Sequence, residues 1–166
     1  MKSDGRTILL VEDDQNDVFF LKYAFETAKI GNPVQVVSDG QEALHYLAGN
    51  GKYADRQRFP LPFLVLLDLK LPVKMGTEVL RWIRHQPNLA NLLVIVLTSS
   101  SETNDIDRAY ECGAQSYLVK PLSLEKRLEM AKAIKNYWLD LNEFPSTTGP
   151  PVSRVTAERP ALKRKC

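Results

Sequence analysis

Five apolar residues ending on a carboxylate, Phe63-Leu64-Val65-Leu66-Leu67-Asp68, constrain this chain more than any other stretch. Lying between Pro62 and Pro72, the run is too short for a core helix. Its lack of alternation reads as a strand covered on both faces. Such a strand has no solvated face for a charge, so Asp68 must stand where the strand leaves the sheet. In an open parallel sheet, that carboxyl edge is where ligands bind.

The rest of the chain alternates around this strand. Thr7 to Val11 reads as a short buried strand, followed at once by Glu12-Asp13-Asp14. A helix is expected from about Gln15 to Ala28, with Val18, Leu21, Phe25 and Ala28 on one face. Val34 to Val37 is the second strand, and Ser38-Asp39-Gly40 turns into a helix from about Gln41 to Ala48. A polar connection from Gly49 to Arg58 is longer than most loops in compact domains. Beyond the central strand, a helix is expected from Gly76 to about His85, with Val79, Leu80 and Ile83 facing inward. Leu92 to Leu97 is a strand stopping at Thr98, and Glu102 to Cys112 a helix with Gly113 as its stop. Tyr117-Leu118-Val119 is a very short strand ending at Lys120-Pro121, and a last helix starts near Leu122. Five β/α units imply an α/β fold with a parallel sheet.

Composition narrows the setting. At 166 residues and 44% hydrophobic, the chain has room for one domain with a substantial core. Two cysteines, Cys112 and Cys166, are too few for a disulfide framework and lack metal-ligand spacing, which suits a reduced cytoplasmic setting. No apolar run approaches membrane-spanning length, so no membrane contact is expected. Residues 146–166 hold five basic side chains (Arg154, Arg159, Lys163, Arg164, Lys165) and one acid, Glu158, leaving −2 of the total +2 for the body. With Pro145, Pro150, Pro151 and Pro160, this end reads as a solvated tail. Residues 1–144 are therefore expected to form the domain and 145–166 a flexible basic tail, with no nucleic-acid partner expected.

The residues just past each strand end share one edge: Glu12 and Asp13, Asp68, Thr98, Lys120. A carboxylate ending a strand is usually a cap or turn residue, and Asp14 and Asp39 read that way. Three carboxylates at close range repel by about 4 kcal/mol per pair at ~4 Å and an effective dielectric of ~20. Lys120 supplies one compensating charge, and the remainder asks for a divalent ion. With no His or Cys in the cluster, the ligands are hard oxygens and Mg2+ is the natural choice. A lysine and a hydroxyl beside such a cation suit the oxygens of a transferring phosphoryl group. Asp68 can then act as nucleophile and form an acyl phosphate.

The segments Ile8-Leu9-Leu10-Val11-Glu12-Asp13-Asp14, Leu66-Leu67-Asp68-Leu69-Lys70-Leu71-Pro72, Val96-Leu97-Thr98-Ser99 and Gly113 to Pro121 resemble the receiver domain of two-component response regulators. The resemblance spans about residues 6–140, in the family's order and spacing. It implies a flavodoxin-like (CheY-like), doubly wound, five-stranded parallel sheet of order 2-1-3-4-5 with helices on both faces. It also implies that Asp68 is the phospho-acceptor. Asp13, Asp68 and the backbone carbonyl of Lys70 would ligate Mg2+, and Glu12, where many members have Asp, would act through metal-bound water. Thr98 and Lys120 would hold phosphoryl oxygens, and Tyr117 would be the switch aromatic with Thr98. The bond before the matching proline is often cis in the family, so Lys120-Pro121 is a candidate cis bond. In receivers, the residues two past the acceptor and two past the Thr tune hydrolysis. Here these are Lys70 and Ser100, neither suited to orienting water, so slow self-dephosphorylation is expected.

The long connection before the third strand, the Asp105-Ile106-Asp107-Arg108-Ala109-Tyr110 helix and the Asn136-Tyr137-Trp138-Leu139 run look like the single-domain receivers that partner phytochrome-type histidine kinases. The resemblance thus implies a signalling receiver that catalyses only its own phosphorylation and dephosphorylation. Its partner would be a histidine kinase of phytochrome type, or one of another type. Three other readings bear on the same residues. A haloacid-dehalogenase-type phosphatase would want a second Asp where Lys70 stands and a nucleophile after the first strand. A flavodoxin would want a Ser/Thr/Gly loop where Glu12-Asp13-Asp14 would repel a phosphate. A pseudo-receiver would lack the acidic site. His45, His85, Trp82 and Cys112 take structural readings, and Ser99 to Ser101 a turn and cap.

The last helix runs on to about Asn142, past the roughly ten to twelve residues needed to cross a sheet. Leu124, Leu128, Ala131 and Trp138 are expected to serve the core. Met130, Ile134, Tyr137 and Leu141 would form a second, outward stripe. The overhang could fold back on the first helix. A self-complementary patch, giving a homodimer through this helix and the neighbouring fourth-helix face, is the expectation adopted.

Overall fold

The computed structural model describes residues 5–145. Strands β1 (Ile8–Val11), β2 (Val34–Val37), β3 (Leu64–Leu67), β4 (Leu93–Thr98) and β5 (Ser116–Val119) form one parallel sheet of order β2-β1-β3-β4-β5. Helices α1 (Gln15–Thr27), α2 (Gly40–Ala48), α3 (Gly76–His85), α4 (Thr103–Glu111) and α5 (Leu124–Ile134) alternate with them. This is the expected CheY-like arrangement, and every element lies within a few residues of where the apolar pattern set it.

Alternation along each strand divides the core into two layers. Leu9, Val11, Val65, Leu67, Val94 and Val96 face the layer shared with α2, α3 and the end of α4. Ile8, Leu10, Leu64, Leu66, Ile95 and Leu97 face the layer of α1 and α5. Because both faces are covered, the central strands carry unbroken apolar runs. The same parity decides which layer each residue at the edge joins.

Gly113, at φ 98°, adopts the left-handed backbone that ends α4 and starts the approach to β5. The Gly49–Arg58 connection is packed rather than open. It contains a single 3-10 turn, Gly51–Tyr53, whose Tyr53 ring sits 5.0 Å from both Tyr46 and Phe59. Arg56 donates to the carbonyls of Tyr46 and Leu47, each at 2.8 Å, and so satisfies the open end of α2.

The last helix corrects three expectations. Helix α5 starts at Leu124 rather than Leu122, capped by Ser123, whose hydroxyl accepts from the Lys126 amide at 3.3 Å. Leu124, expected in the core, is 44% exposed on that first turn, whereas Ile134, expected on the outer stripe, is 1% exposed. Ile134 lies three residues past Ala131, so it belongs geometrically to both stripes, and packing against α1 draws it inward. From Lys135 to Leu141 the helix widens to π geometry, closed by the Asn142 amide donating to Tyr137 O at 2.8 Å. Trp138 and Leu139 then both pack toward the α1–α5 layer. Phe144 comes back onto Phe63 at 4.8 Å, with the Arg6 guanidinium 4.5 Å from each ring. The overhang therefore folds back, onto the amino edge of the sheet.

Candidate functional site

Each strand's last turn of backbone sets one piece of the site. After β1, Asp14 is the N-cap of α1, accepting from the amides of Asn16 and Asp17 at 2.8 and 3.3 Å. Asp39 caps α2 through the Glu42 amide at 2.7 Å. Both are the structural carboxylates their positions suggested. After β3, the Lys70 amide donates to Asp68 Oδ1 at 3.2 Å, and the Gly76 amide to Leu69 O at 2.8 Å. A Cβ on Gly76 would stand 2.1 Å from the Asp68 carbonyl, so only glycine lets α3 begin this close to the loop carrying Asp68.

The carboxylates converge. Oxygens of Glu12, Asp13 and Asp68 all lie within 4.8 Å of one another, with Glu12 and Asp68 buried and Asp13 exposed. Lys120 enters this group from the end of β5, its ammonium 2.5 Å from Glu12, 2.7 Å from Asp68 and 3.0 Å from Asp17. The Lys120–Pro121 bond, a candidate cis bond from sequence, is trans, and the lysine reaches the site all the same. Burial alone would push the Lys120 ammonium down. Its hydrogen bonds to Asp68, Glu12 and Asp17 outweigh that and hold it well above the ordinary lysine value. Burial dominates at Glu12, whose carboxyl is raised despite Lys120. At Asp17 the burial effect is overcome by Lys120 and Arg127, and the carboxyl is lowered.

By strand parity, Thr98 and Tyr117 belong to the opposite layer from Asp68 and Lys120. Thr98 is fully buried, and its hydroxyl is one of two buried side-chain polar atoms among the described residues with no partner, the other being Arg81 Nε. Tyr117 donates its hydroxyl to Ser100 O at 2.9 Å and packs against the α2–α3 layer. Ser100 in turn donates to Asp105 Oδ2 at 2.5 Å and accepts from the Glu102 amide at 3.3 Å, tying the β4–α4 loop to the first turn of α4.

The donor set suits a hard cation: three carboxylates, with no histidine or cysteine among them. Beside it stands one ammonium, that of Lys120. The histidines take no part: His85 bonds Arg81 O and His45 bonds Gln41, each within its own helix. The residues that sequence reasoning missed are Asp17 and Arg127. Asp17 also pairs with Arg127 Nη1 at 2.9 Å, and Arg127 Nε donates to Pro121 O at 2.8 Å. An acid in the first turn of a helix ordinarily reads as complementing the helix dipole. No local pattern links it to an arginine on α5.

Comparison with known proteins agrees with this fold. Residues 8–132 match the response regulator receiver domain family. The chain is 35% identical over 141 residues to Response regulator Rcp1 of Synechocystis sp., covering 85% of this chain and 94% of that protein. The crystal structure of Rcp1 in its Mn2+-bound form matches with a TM-score of 0.77 at 35% identity, over 85% of this chain and 99% of that one. Probable methanogenesis regulatory protein FilR2 of Methanothrix harundinacea is 40% identical over 145 residues, covering 86% and 89% of the two chains. A crystal structure of the phosphorylated cyanobacterial phytochrome response regulator RcpA matches with a TM-score of 0.79 at 35% identity, over 85% and 99% of the chains.

Proposed function

The chain belongs to the response regulator receiver domain family, and from that premise we propose that it is a single-domain receiver of a two-component phosphorelay that accepts a phosphoryl group on Asp68. The observation that carries this reading is the convergence of Glu12, Asp13 and Asp68 around the Lys120 ammonium. An Asp68 oxygen attacks the phosphorus of a phosphohistidine. The P–N bond breaks, the imidazole leaves with the electron pair, and an acyl phosphate remains on Asp68. Lys120 and the Thr98 hydroxyl donate to the phosphoryl oxygens. Glu12 (through water), Asp13, Asp68 and the Lys70 carbonyl are the residues to hold Mg2+. When bound, that ion offsets the charge of the carboxylates and of the incoming phosphoryl oxygens. The chain thus catalyses only its own phosphorylation and the hydrolysis that reverses it.

Thr98 and Tyr117 carry the switch. A phosphoryl oxygen gives the Thr98 hydroxyl its missing partner, and the Tyr117–Ser100 bond is the contact that must yield for the β4–α4 loop to follow. For the donor, the likeness to a phytochrome response regulator supports a phytochrome-type kinase. The comparable likeness to FilR2 keeps a kinase of another type as the second reading. We assign the receiver to residues 1–144 and the basic tail to 145–166, of which 146–166 lie outside the described residues. A cytoplasmic site fits the reaction, and no helix among the described residues is long and apolar enough to cross a membrane. A homodimer remains part of this reading through Tyr137 and Leu141, 56% and 75% exposed, and the fourth-helix face; of the expected stripe, Ile134 is buried and Met130 packs against the α1–α5 layer, so neither leads the contact.

Incubation with acetyl phosphate, followed by intact-mass analysis, tests the site. Wild type should gain one phosphoryl group with Mg2+, and neither Asp68→Asn nor chelated wild type should. Label that survives either change refutes it. Sedimentation of wild type beside Tyr137→Asp tests the dimer, which a monomeric wild type at tens of micromolar, phosphorylated or not, would refute.

A further inference from the structure

Asp17 sits half-buried in the first turn of α1, with one oxygen 3.0 Å from the Lys120 ammonium and the other 2.9 Å from Arg127. An ammonium has three N–H donors. Here three carboxylates take them: Glu12, Asp68 and Asp17. Two of the three belong to the oxygen cluster suited to a cation, and one of those is the proposed nucleophile. Asp17 is outside that cluster. It is thus the partner whose bond to Lys120 can persist while Asp68 turns to phosphorus and Glu12 toward the metal.

The carboxylate is itself held in place. Arg127 grips its far oxygen, bonds the Pro121 carbonyl next to Lys120, and lies over the Phe20 ring at 5.5 Å. The hollow behind the ammonium, lined by Leu10, Leu21, Leu97 and Met130, measures about 10 Å³, room for one water at most. Little space is left there for the ammonium to shift into.

Resting on the phosphoryl-acceptor reading above, we propose that Asp17 is a positioning residue for the transfer, fixing the Lys120 ammonium so that its other N–H groups meet the phosphoryl oxygens. With Asp17 removed, the ammonium settles on Glu12 and Asp68, and pairs more tightly with the nucleophile it should assist. The simpler alternative is that Asp17 only clamps α1 to α5 through Arg127, and the two differ in which substitution slows the chemistry.

The test uses acetyl phosphate as donor, so that no kinase contact with α1 enters, and measures the rate of phosphorylation together with the Kd for Mg2+. Asp17→Asn should lower the rate about tenfold, the scale of one charge-assisted hydrogen bond, with the Mg2+ affinity unchanged. Asp17→Glu should recover part of the rate. Arg127→Gln, which loosens the carboxylate but spares the Asp17–Lys120 pair, should lose much less of the rate than Asp17→Asn. An Asp17→Asn rate equal to wild type overturns the proposal, as does an Arg127→Gln rate as low as that of Asp17→Asn. A wild type that takes no phosphoryl group sinks the acceptor reading itself, a result distinguishable from either.

Discussion

The two sides of the sheet's carboxyl edge are built on opposite principles. On the α1–α5 side, the Lys120 ammonium is matched by Glu12, Asp68 and Asp17, and Asp17 again by Arg127. On the α3–α4 side, Thr98 carries a buried hydroxyl with nothing to bond, while Tyr117 and Ser100 are tied off beside it. Charged groups are already paired with one another on the first side; an unmet hydrogen bond waits on the second. A phosphoryl group on Asp68 needs both, an ammonium held beside the acidic cluster to meet its oxygens and a donor with no prior commitment. On the function proposed above, the difference would separate the side that does the chemistry from the side that reports it.

The largest break in this contrast comes from the charged side. Lys120→Met leaves Glu12, Asp13 and Asp68 without their ammonium, and phosphorylation by acetyl phosphate at saturating Mg2+ should slow by about 100-fold or more. A variant within a few fold of wild type would mean that the ion pairs are structural. Next comes the lifetime of the phosphorylated form. Lys70 offers no carboxylate or carboxamide, and the Ser100 hydroxyl is already given to Asp105, so neither should orient an attacking water. Purified phosphoprotein should decay over minutes or longer, and decay within seconds would show that another group activates the water.

The reporting side predicts a smaller effect of unusual sign. Thr98→Val removes a buried hydroxyl that has no partner, so the unphosphorylated protein should gain about 1 kcal/mol in denaturant unfolding. The same variant should lose the coupling between phosphorylation and the Tyr117 environment, read by Tyr117 NMR shifts. A loss of stability instead would mean that the hydroxyl has a partner in solution. The smallest effect lies off the edge altogether. Burial alone would raise the Glu42 carboxyl, but hydrogen bonds from Lys52, Tyr53 and the Ser38 amide hold it at about 2 against an ordinary 4.5. A depressed carboxyl stabilises the fold above its unfolded value and loses that contribution as pH falls. Glu42→Gln should therefore cost about 1 kcal/mol at pH 7, given the solvent exposure of Lys52. That difference should fade between pH 4.5 and 2.

What the sequence disclosed follows strand geometry. Glu12, Asp13, Asp68, Thr98 and Lys120 each end a strand, and parallel strands deliver their ends to one edge whatever the helices do. Asp17 and Arg127 were not legible, because their meeting depends on how two helices 110 positions apart lie against each other. The packing of the long connection was equally hidden: Tyr53 and Phe59 look like isolated aromatics until the fold brings their rings together and onto Tyr46 of α2. Ile134 shows a finer limit. Three residues from Ala131 and four from Met130, it fits two stripes of one helix, and only the position of α1 decides between them.

The central claim, that the two sides meet on one phosphoryl group at Asp68, is tested most directly by a crystal structure with Mg2+ and trifluoroberyllate, which mimics an aspartyl phosphate. The account predicts beryllium bonded to Asp68, with the Thr98 hydroxyl and the Lys120 ammonium each within hydrogen-bond distance of a fluorine, and Tyr117 released from Ser100. A beryllate elsewhere, or one on Asp68 that leaves the Thr98 hydroxyl unpartnered and Tyr117 still bound, would contradict it.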